Sequence, residues 1–505
     1  MQLLPDEKIR NAALDIHRSF HLEAPAGSGK TWLLTGRYLR LLAEVDHPHE
    51  ILALTFTNKA AGEMRQRIRD FLQKAAKGET PQYPHEQTLV EAAARASQHQ
   101  PVHRLAAPDG LRIMTFHGFC LHLVQRAPLE AAVPPGSRVM SDEEQNQLRL
   151  QVAATTINEL LSHSSGDPLR QAVENRLLRL NNNWLALRNE LADLMAKRDL
   201  LDDLLTLLGH HSDKDKLEAI LTGRLESLLK LRLSKCRLAL GHTYLGENWP
   251  DFIGHLQRNS AEAGNRLPKT LPPAEGFSLE LWQEMATTLT TADGKARKRL
   301  GPATGFYQGF SKSKWAEMIQ ELTVESLEQL QNLKKLPLLD QGVADLDSLY
   351  DLVLVVGEAL RRYTITCRQR RQLDYVELEQ AALRLFDQEA PTELQLFLDR
   401  RIQHLLVDEF QDTSRSQWQL IQYLCSGWQP YSGRTLFVVG DPKQSIYAFR
   451  KAEVSLFLDA TKGLPLPGQD RFPLECLQLS ANFRTHPRLV HWNNELFGQT
   501  IMSQA

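Results

Sequence analysis

Two glycines, a lysine and a threonine stand close together near the start of the chain, in the run APAGSGKT at residues 24–31. Gly27 and Gly29 can adopt backbone conformations closed to other residues, so successive N–H groups can surround a phosphate. Lys30 supplies a positive charge for the β- and γ-phosphates of a nucleotide, and Thr31 supplies a hydroxyl for Mg²⁺. The complete phosphate-loop pattern has glycine where this chain has Ala24. The sequence therefore predicts a nucleoside triphosphate site formed by Ala24, Pro25, Ala26, Gly27, Ser28, Gly29, Lys30 and Thr31.

A phosphate loop of this type works with an acidic partner on a neighbouring strand, and Asp408 and Glu409 directly follow the apolar run HLLV at 404–407. Asp408 is predicted to hold Mg²⁺, usually through water, and Glu409 to orient and deprotonate the water that attacks the nucleotide. A pair of solvated carboxylates at a strand end is the alternative interpretation. The uninterrupted apolar run before these two residues favours the interpretation that they are catalytic.

Other side chains also suggest ligands, but their spacing is less specific. His117, Cys120 and His122 suggest zinc, yet a structural zinc site needs four ligands and the sequence has no second cluster. Five arginines between Arg361 and Arg371 either bind a DNA backbone or form a solvated helix face. The same two interpretations hold for a second basic group, which consists of Lys59, Arg65, Arg67 and Arg69.

Five short apolar runs, each ending in a polar loop, predict the parallel strands that position these residues. They are FHLEA before Pro25, ILALTF before Thr57, LRIMTF before His117, HLLV before Asp408 and LFVVG before Asp441, and LECLQL before Ser480 is a weaker sixth. Helical patterns such as Thr31 to Leu42 and Ala60 to Leu72 alternate with them. This alternation is typical of a doubly wound α/β sheet, which binds ligands at the carboxyl ends of its strands.

The length and composition of the 505-residue chain indicate which broad class of protein it belongs to. The length suits roughly three domains, and 42% hydrophobic residues suffice for large cores. No segment approaches the roughly 20 apolar residues of a membrane span, and the N-terminus lacks the pattern of a signal peptide. The net charge is only -2, and the five cysteines are scattered. We therefore expect a cytoplasmic protein with no membrane partner and no disulfide framework.

The segment from about Ser141 to Leu373 differs from the rest because leucine-rich amphipathic patterns dominate it. It is predicted to be a helical insertion. We therefore expect a first part of the nucleotide-binding domain at 1–140, the insertion at 141–372 and the second part of the domain at 373–505. Polar, proline-containing stretches at Lys77 to Gln100 and Arg258 to Glu275 are predicted loops.

Six segments together resemble the ATP-binding half of UvrD/RecB-type superfamily 1 DNA helicases. They are APAGSGKT, TFTNKAAGEMRQRI (55–68), TFHGF (115–119), DEFQDTS (408–414), VVGDPKQSIYAFRKAE (438–453) and LSANFRTHP (479–487). QLDYVELE (372–379) resembles that family's Asp-Phe motif, with Tyr375 in place of phenylalanine. The chain is most similar to the helicase-nuclease subgroup, that is, to its A-type or RecB-like polypeptides. The resemblance covers about 1–140 and 373–505, and it implies a RecA-like P-loop NTPase sheet with a 1B-like helical insertion.

The resemblance also implies roles for individual residues. Gln444 would contact the γ-phosphate and water, Arg484 would stabilise transition-state charge, and Phe483 would stack against adenine in place of the family's usual tyrosine. Tyr447 and Phe449 would stack on DNA bases, which holds a strand without sequence preference, although core aromatics are the alternative. The implied DNA-contacting residues are Thr57, Asn58, Lys59, Thr115, Phe116, His117, Tyr447 and Phe449.

The resemblance implies an ATP-dependent 3'-5' DNA helicase or translocase that acts in DNA repair or recombination with ATP and Mg²⁺. Its implied partners are single-stranded DNA or DNA ends and another subunit of a helicase-nuclease complex. We expect that these residues lack the family's second motor domain, and that alone they bind nucleotide weakly and do not unwind duplex. A non-catalytic scaffold subunit is the main alternative, and an unrelated P-loop phosphotransferase is a weaker one. Ile9 stands near the position of the family's adenine-reading glutamine, so selectivity for ATP is left open.

Overall fold

The chain has an α/β fold in a computed structural model, which confirms the predicted fold class. The α-helices are Glu7–Ala13, Lys30–Leu42, Asn58–Lys77, Pro84–His99, Phe116–Arg126, Asp142–Leu161, Pro168–Arg179, Trp184–Ala196, Lys214–Gly241, Trp249–Asn259, Leu279–Leu289, Val324–Leu333, Gly342–Arg370, Tyr375–Arg384, Glu393–Arg401, Arg415–Leu424 and Val454–Asp459. The structure describes residues 5–79, 81, 83–100, 104–105, 110–199, 201, 214–241, 246, 248–259, 267–268, 270–275, 278–291, 293–297, 315–317, 319, 322, 324–334, 336, 342–386, 393–445, 453–486 and 488–492.

The main sheet has six strands, and every neighbouring pair is parallel. The strands of the structure are β1 (Phe20–Glu23), β2 (Ile51–Thr55), β3 (Ile113–Thr115), β4 (Arg138–Val139), β5 (Gln372–Leu373), β6 (His404–Val407), β7 (Thr435–Gly440) and β8 (Glu475–Gln478). The order in the main sheet is β3-β2-β6-β7-β1-β8, and its members all fall on predicted apolar runs. Because the strands are parallel, the polar loops that follow them share one edge of the sheet.

Alternate side chains of the strands face opposite sides of the sheet and build two separate cores. Leu405 and Val407 belong to one core, whereas Leu406 between them belongs to the other. Helices cover both sides, because Phe116–Arg126 contributes to the first core and Lys30–Leu42 to the second. This is the layered arrangement expected of a doubly wound sheet.

The short pair β4 and β5 is a feature that the sequence patterns do not predict. The strands are parallel, with Arg138 opposite Gln372 and Val139 opposite Leu373. Two-residue strands are too short to give a period-2 pattern. Their pairing joins the chain at the two ends of the predicted insertion.

The predicted loop from Lys77 to Gln100 is wrong, because Pro84–His99 is a helix. Proline at the start of a helix removes an N–H that has no partner within the helix, so Pro84 begins this helix rather than breaking it. The residues with the helical spacing of a buried face are Leu89, Ala92, Ala93 and Ala96. The second predicted loop, Arg258 to Glu275, starts inside the end of helix Trp249–Asn259, and its described residues after that helix contain no helix or strand.

The described chain divides into two compact units. The first lies within 1–146 and 364–494 and contains the sheet, and the second lies within 147–363 and has its own core around Trp249, Trp282 and Trp315. The assignment of 141–372 to a 1B-like insertion stays a prediction. All five cysteines are free thiols, and no helix of the described residues is long and apolar enough to cross a membrane.

Candidate nucleotide site

The phosphate loop has the backbone that its glycines predict. Gly27 and Gly29 have φ angles of 78° and 84°, in the left-handed region that glycine adopts without strain. The N–H of Ala24 donates to the carbonyl of Gly440 over 2.8 Å and fixes the start of the loop to β7. Helix Lys30–Leu42 begins directly after the loop, and its N-cap, Gly29, offers no side chain to the first turn. The positive end of this helix is therefore available to an anion.

Ser28 provides a direct test of whether the loop fits a phosphate. The residue is 1% exposed, and its hydroxyl has no hydrogen-bond partner among the described residues. A buried hydroxyl without a partner destabilises a folded protein. A phosphate oxygen would supply the missing acceptor, so the loop fits a triphosphate.

Lys30 and two carboxylates form a charged cluster at this edge of the sheet. Nζ of Lys30 lies 2.6 Å from Oε2 of Glu409 and 3.6 Å from Oδ1 of Asp408. Burial raises the pKa of Asp408 to about 6, even though the nearby charge of Lys30 lowers it. The structure thus brings Lys30 together with the acidic pair, which lies far from it in the sequence.

Glu409 has an unusual backbone for a residue with a side chain. Its φ and ψ angles of 50° and 43° lie in the left-handed region, and the short 3-10 turn Phe410–Asp412 follows it. Its N–H donates to Oδ1 of Asp408 over 2.9 Å. Conformations of this kind are concentrated at functional sites, where the surrounding structure compensates for their cost.

A chain of hydrogen bonds links the cluster to the loop after β7. Nε2 of Gln411 donates to Glu409 over 2.8 Å, and the N–H of Asp441 donates to Oε1 of Gln411 over 3.0 Å. Nε2 of Gln444 donates to Oδ2 of Asp441 over 2.6 Å. Gln444 is therefore connected to the Lys30 cluster through Asp441, by its side chain and its backbone N–H, and through the side chain of Gln411.

The segment that carries Phe483 and Arg484 packs directly against the phosphate loop. The N–H of Phe483 donates to the carbonyl of Gly27 over 2.8 Å. A Cβ atom at Gly27 would lie 2.7 Å from Cβ of Arg484, so this position needs glycine for the close approach as well as for its φ angle. Phe483 is 58% exposed, and the guanidinium of Arg10 lies 4.9 Å from the centroid of its ring.

The first predicted DNA segment starts a helix. Thr57 is the N-cap of Asn58–Lys77, and its Oγ1 accepts the N–H of Ala60 over 3.1 Å. Asn58 and Lys59 are exposed, and Nζ of Lys59 lies 3.9 Å from the carboxylate of Glu63. The Thr57 hydroxyl thus has a structural partner, whereas the next two side chains are open to solvent.

The second predicted DNA segment is largely buried. Thr115 is 8% exposed, and its Oγ1 accepts the N–H of Gly118 over 3.0 Å as the N-cap of helix Phe116–Arg126. Phe116 is 3% exposed and belongs to a core. The Phe116 ring therefore offers no stacking surface in this structure, and its contact with DNA stays a prediction.

His117 is bound to the helix of the Asp-Phe motif. Its Nε2 donates to Oε1 of Glu379 over 3.1 Å, and its ring stacks on Tyr375 with 4.3 Å between centroids. Glu379 also accepts from Nε2 of Gln417 over 2.7 Å and from Oγ of Ser414 over 3.4 Å. A predicted DNA residue is thus linked to the segment that follows Asp408 and Glu409.

The zinc interpretation finds little support in the geometry of its three residues. Cys120 is buried, and burial raises the pKa of its thiol well above the usual range, whereas zinc binds the thiolate. The residues that the structure describes contain no group of three or more His, Cys, Asp or Glu side chains suited to a metal ion. Mg²⁺ at a nucleotide needs only one or two protein ligands beside phosphates and water, so Thr31 and Asp408 are compatible with it.

Two remaining predictions have different outcomes. Tyr447 and Phe449 lie outside the described residues, so their stacking on DNA stays a prediction. In the basic run, Arg361 is exposed and pairs with Glu358 over 2.7 Å, which favours the solvated helix face for this residue. Arg362 is only partly exposed, and it pairs with Glu358 over 2.6 Å and with Glu159 of helix Asp142–Leu161, so it connects two helices. The exposed arginines further along are Arg368, Arg370 and Arg371.

Sequence reasoning misses four residues that hold the site together. Gln411 and Asp441 lie inside recognised motifs, DEFQDTS and VVGDPKQSIYAFRKAE, so the motifs themselves are the available signal. Asp6 and Arg10 belong to the first helix and its N-cap, and they contact a segment that begins at Ser480. No local pattern signals a contact over that separation.

Comparison with known proteins gives a consistent result. A family model for the UvrD/REP helicase N-terminal domain matches residues 6–465. The chain is 26% identical over 516 residues to the A subunit of an ATP-dependent helicase/nuclease from Lysinibacillus sphaericus, with 95% of this chain and 38% of the relative covered. Proteins of the same description from Desulfitobacterium hafniense and Limosilactobacillus fermentum are each 27% identical, over 98% and 100% of this chain and 36% and 38% of their own lengths. The chain therefore spans less than two fifths of these relatives.

Proposed function

Because the chain belongs to the UvrD/REP helicase N-terminal domain family, we propose that it is the ATP-binding part of an ATP-dependent 3'-5' DNA helicase. It hydrolyses ATP with Mg²⁺ while it moves along single-stranded DNA, and it acts in DNA repair or recombination. The relatives are described as one subunit of an ATP-dependent helicase/nuclease. We therefore include a second subunit of a helicase-nuclease complex among the proposed partners, beside single-stranded DNA and DNA ends.

The observation that carries the proposal is the position of Lys30. Its ammonium lies within hydrogen-bond distance of Glu409 and near Asp408, directly after a loop whose N–H groups can receive a phosphate. A phosphate group would replace Glu409 as the partner of Lys30, because it carries more negative charge. The exchange leaves the Glu409 carboxylate available to orient water and accept its proton.

The other predicted residues take complementary roles in the proposal. Thr31 and Asp408 hold Mg²⁺, which when bound offsets the negative charge of the phosphates. Arg484 and Gln444 act on the γ-phosphate, and Phe483 stacks against the base. Since Gly27 contacts the chain at both Phe483 and Arg484, one loop orders the phosphate and base contacts together.

DNA would be held by backbone and side-chain contacts at the ends of β2 and β3. Asn58 and Lys59 are exposed side chains at the positive end of helix Asn58–Lys77, which suits a phosphate of the DNA backbone. Thr57, Thr115, Phe116 and His117 complete this proposed track. Tyr447 and Phe449 would add stacking, as the family resemblance implies.

The proposal is tested by measuring ATP hydrolysis with and without single-stranded DNA in the full-length gene product. We expect DNA-stimulated hydrolysis, and we expect Lys30→Ala to reduce it by about 10² or more, the loss typical of removing one preorganised charge from a transition state. The matched control is Lys462→Ala, which removes an exposed lysine. Equal turnover in Lys30→Ala and wild type would refute the site.

The same experiment distinguishes the proposed helicase from a non-catalytic scaffold subunit. A non-catalytic helicase-like subunit would show no DNA-stimulated hydrolysis in the wild type, whatever its partners. The site retains six residues with catalytic chemistry, and a scaffold has no chemical need for such a set. They are Lys30, Thr31, Asp408, Glu409, Gln444 and Arg484.

A further inference from the structure

Asp6, at the start of the chain, is bound to a segment 474 residues away. It is the N-cap of helix Glu7–Ala13, yet its side chain makes no capping hydrogen bond to that helix. Instead Oδ2 accepts the backbone N–H groups of Ser480 and Ala481, each over 2.9 Å. Aspartate at an N-cap normally accepts from its own helix, so this carboxylate is used for a tertiary contact.

Arg10 completes the contact. Its Nε and Nη2 donate to the two oxygens of Asp6 over 2.7 Å and 2.9 Å. Asp6 and Arg10 are 1% and 5% exposed. Burial raises the pKa of Asp6, but the hydrogen bonds from Arg10, Ala481 and Ser480 outweigh it and hold that pKa below its usual range. An ion pair between residues four apart contributes little on a protein surface, but this one is buried, and both carboxylate oxygens of Asp6 accept hydrogen bonds.

The same arginine reaches the phosphate loop and the predicted base-stacking residue. Nη1 of Arg10 lies 3.3 Å from where a Cβ atom of Gly29 would be, and its guanidinium lies 4.9 Å from the ring centroid of Phe483. Arg10 therefore fills the space between Gly29 and Phe483. A larger residue at position 29 would displace it.

The segment Ser480–Thr485 is thereby held at two points. Asp6 binds its first two N–H groups, and the carbonyl of Gly27 accepts the N–H of Phe483. Oδ1 of Asn482 accepts the N–H groups of the next residues, Arg484 and Thr485, over 2.9 Å and 3.1 Å, which stiffens the turn. None of the residues that the structure describes hydrogen-bonds to the guanidinium of Arg484. The backbone of Arg484 is fixed while its charged end is available.

We propose that the buried Asp6–Arg10 pair is a positioning device that sets where Phe483 and Arg484 meet the nucleotide. The proposal rests on the proposed function, because it assumes that these two residues contact ATP. Asp6 acts through the segment that it binds and touches no reacting atom, so it is a positioning residue. Arg10 supports the Phe483 ring from the side of the phosphate loop.

The first test measures the contact itself and needs no enzymatic activity. Hydrogen exchange of the Ser480 and Ala481 amides is followed in nucleotide-free protein by mass spectrometry. We expect Asp6→Ala to speed exchange roughly tenfold or more. In this variant the segment can open locally without breaking hydrogen bonds to a buried carboxylate. Asp6→Asn is the milder variant if Asp6→Ala does not fold, and Asp46→Asn is the exposed control. Unchanged exchange in both Asp6 variants would overturn the proposal.

The second test asks whether the contact acts through Arg484. We expect Asp6→Asn to lower kcat of DNA-stimulated hydrolysis about tenfold, and to have no further effect in the Arg484→Ala background. If Asp6 had only a general structural role, the double variant would lose activity by the product of the two single-variant losses. That result would overturn the proposal. Absence of hydrolysis in the wild type would instead refute the proposed function, while the exchange experiment would still report on the Asp6 contact.

Discussion

Two parts of one sheet edge use their polar residues in different ways. After β1 and β6, Lys30, Asp408 and Glu409 bond mainly to one another, and burial shifts the pKa of Asp408 to about 6. After β2 and β3, Thr57 and Thr115 instead accept N–H groups of the helices that they begin. The first part contains one lysine and two carboxylates, whose charges do not balance and are available to a bound nucleotide. In the second part the two threonine hydroxyls already accept hydrogen bonds from the helices that follow. The family resemblance assigns ligands to both parts, but their geometry differs.

The strongest test of this contrast is Glu409→Gln, which keeps the shape of the side chain and removes its charge. We expect DNA-stimulated ATP hydrolysis to fall by about 10² to 10⁴, because a general base contributes roughly that much. Nucleotide binding should persist, since the phosphate loop and Lys30 are intact. Hydrolysis rate and binding of a fluorescent ATP analogue are measured on the same protein. Glu44→Gln, at an exposed position, is the control, and hydrolysis within twofold of wild type would remove Glu409 from the site.

A second prediction concerns the stability cost of the charge cluster in metal-free protein. The pKa of Asp408 is about 6 in the folded protein, and its ordinary value is 3.8. Protonation of Asp408 therefore adds to the free energy of unfolding, and this contribution is complete below about pH 4. That contribution is lost as the pH rises through about 6, and the difference corresponds to about 3 kcal/mol. We therefore expect Asp408→Asn to increase the free energy of unfolding at pH 8 by up to this amount, with no increase at pH 4.

Chemical denaturation of both proteins in the presence of EDTA checks the prediction. Asp46→Asn is the exposed control and should show no such dependence on pH. Destabilisation by Asp408→Asn at both pH values would mean that the carboxylate stabilises the fold, as an ordinary ion pair with Lys30. The contrast between the two parts of the sheet edge would then disappear.

The sequence predicts those parts of the molecule whose signal is local. The six strands of the main sheet fall on short apolar runs, and the phosphate loop follows from its own glycines and lysine. Helix Pro84–His99 is missed because proline and polar residues suggest a loop, although proline also begins helices. The partners of His117 and Asp6 lie hundreds of residues away, at Glu379 and Ser480. Only the tertiary fold decides such contacts, since no periodicity relates the two sides.

The smallest expected effect belongs to Thr115, and it tests the second part of the comparison. Thr115→Ala removes the cap of helix Phe116–Arg126 and should lower the free energy of unfolding by about 1 kcal/mol. Thr115→Ser keeps the hydroxyl and should stay close to wild type. Denaturation and single-stranded DNA affinity are measured for both variants. If Thr115→Ala leaves stability unchanged and weakens DNA binding, the hydroxyl serves the ligand rather than the helix, and both parts of the edge are built for ligands.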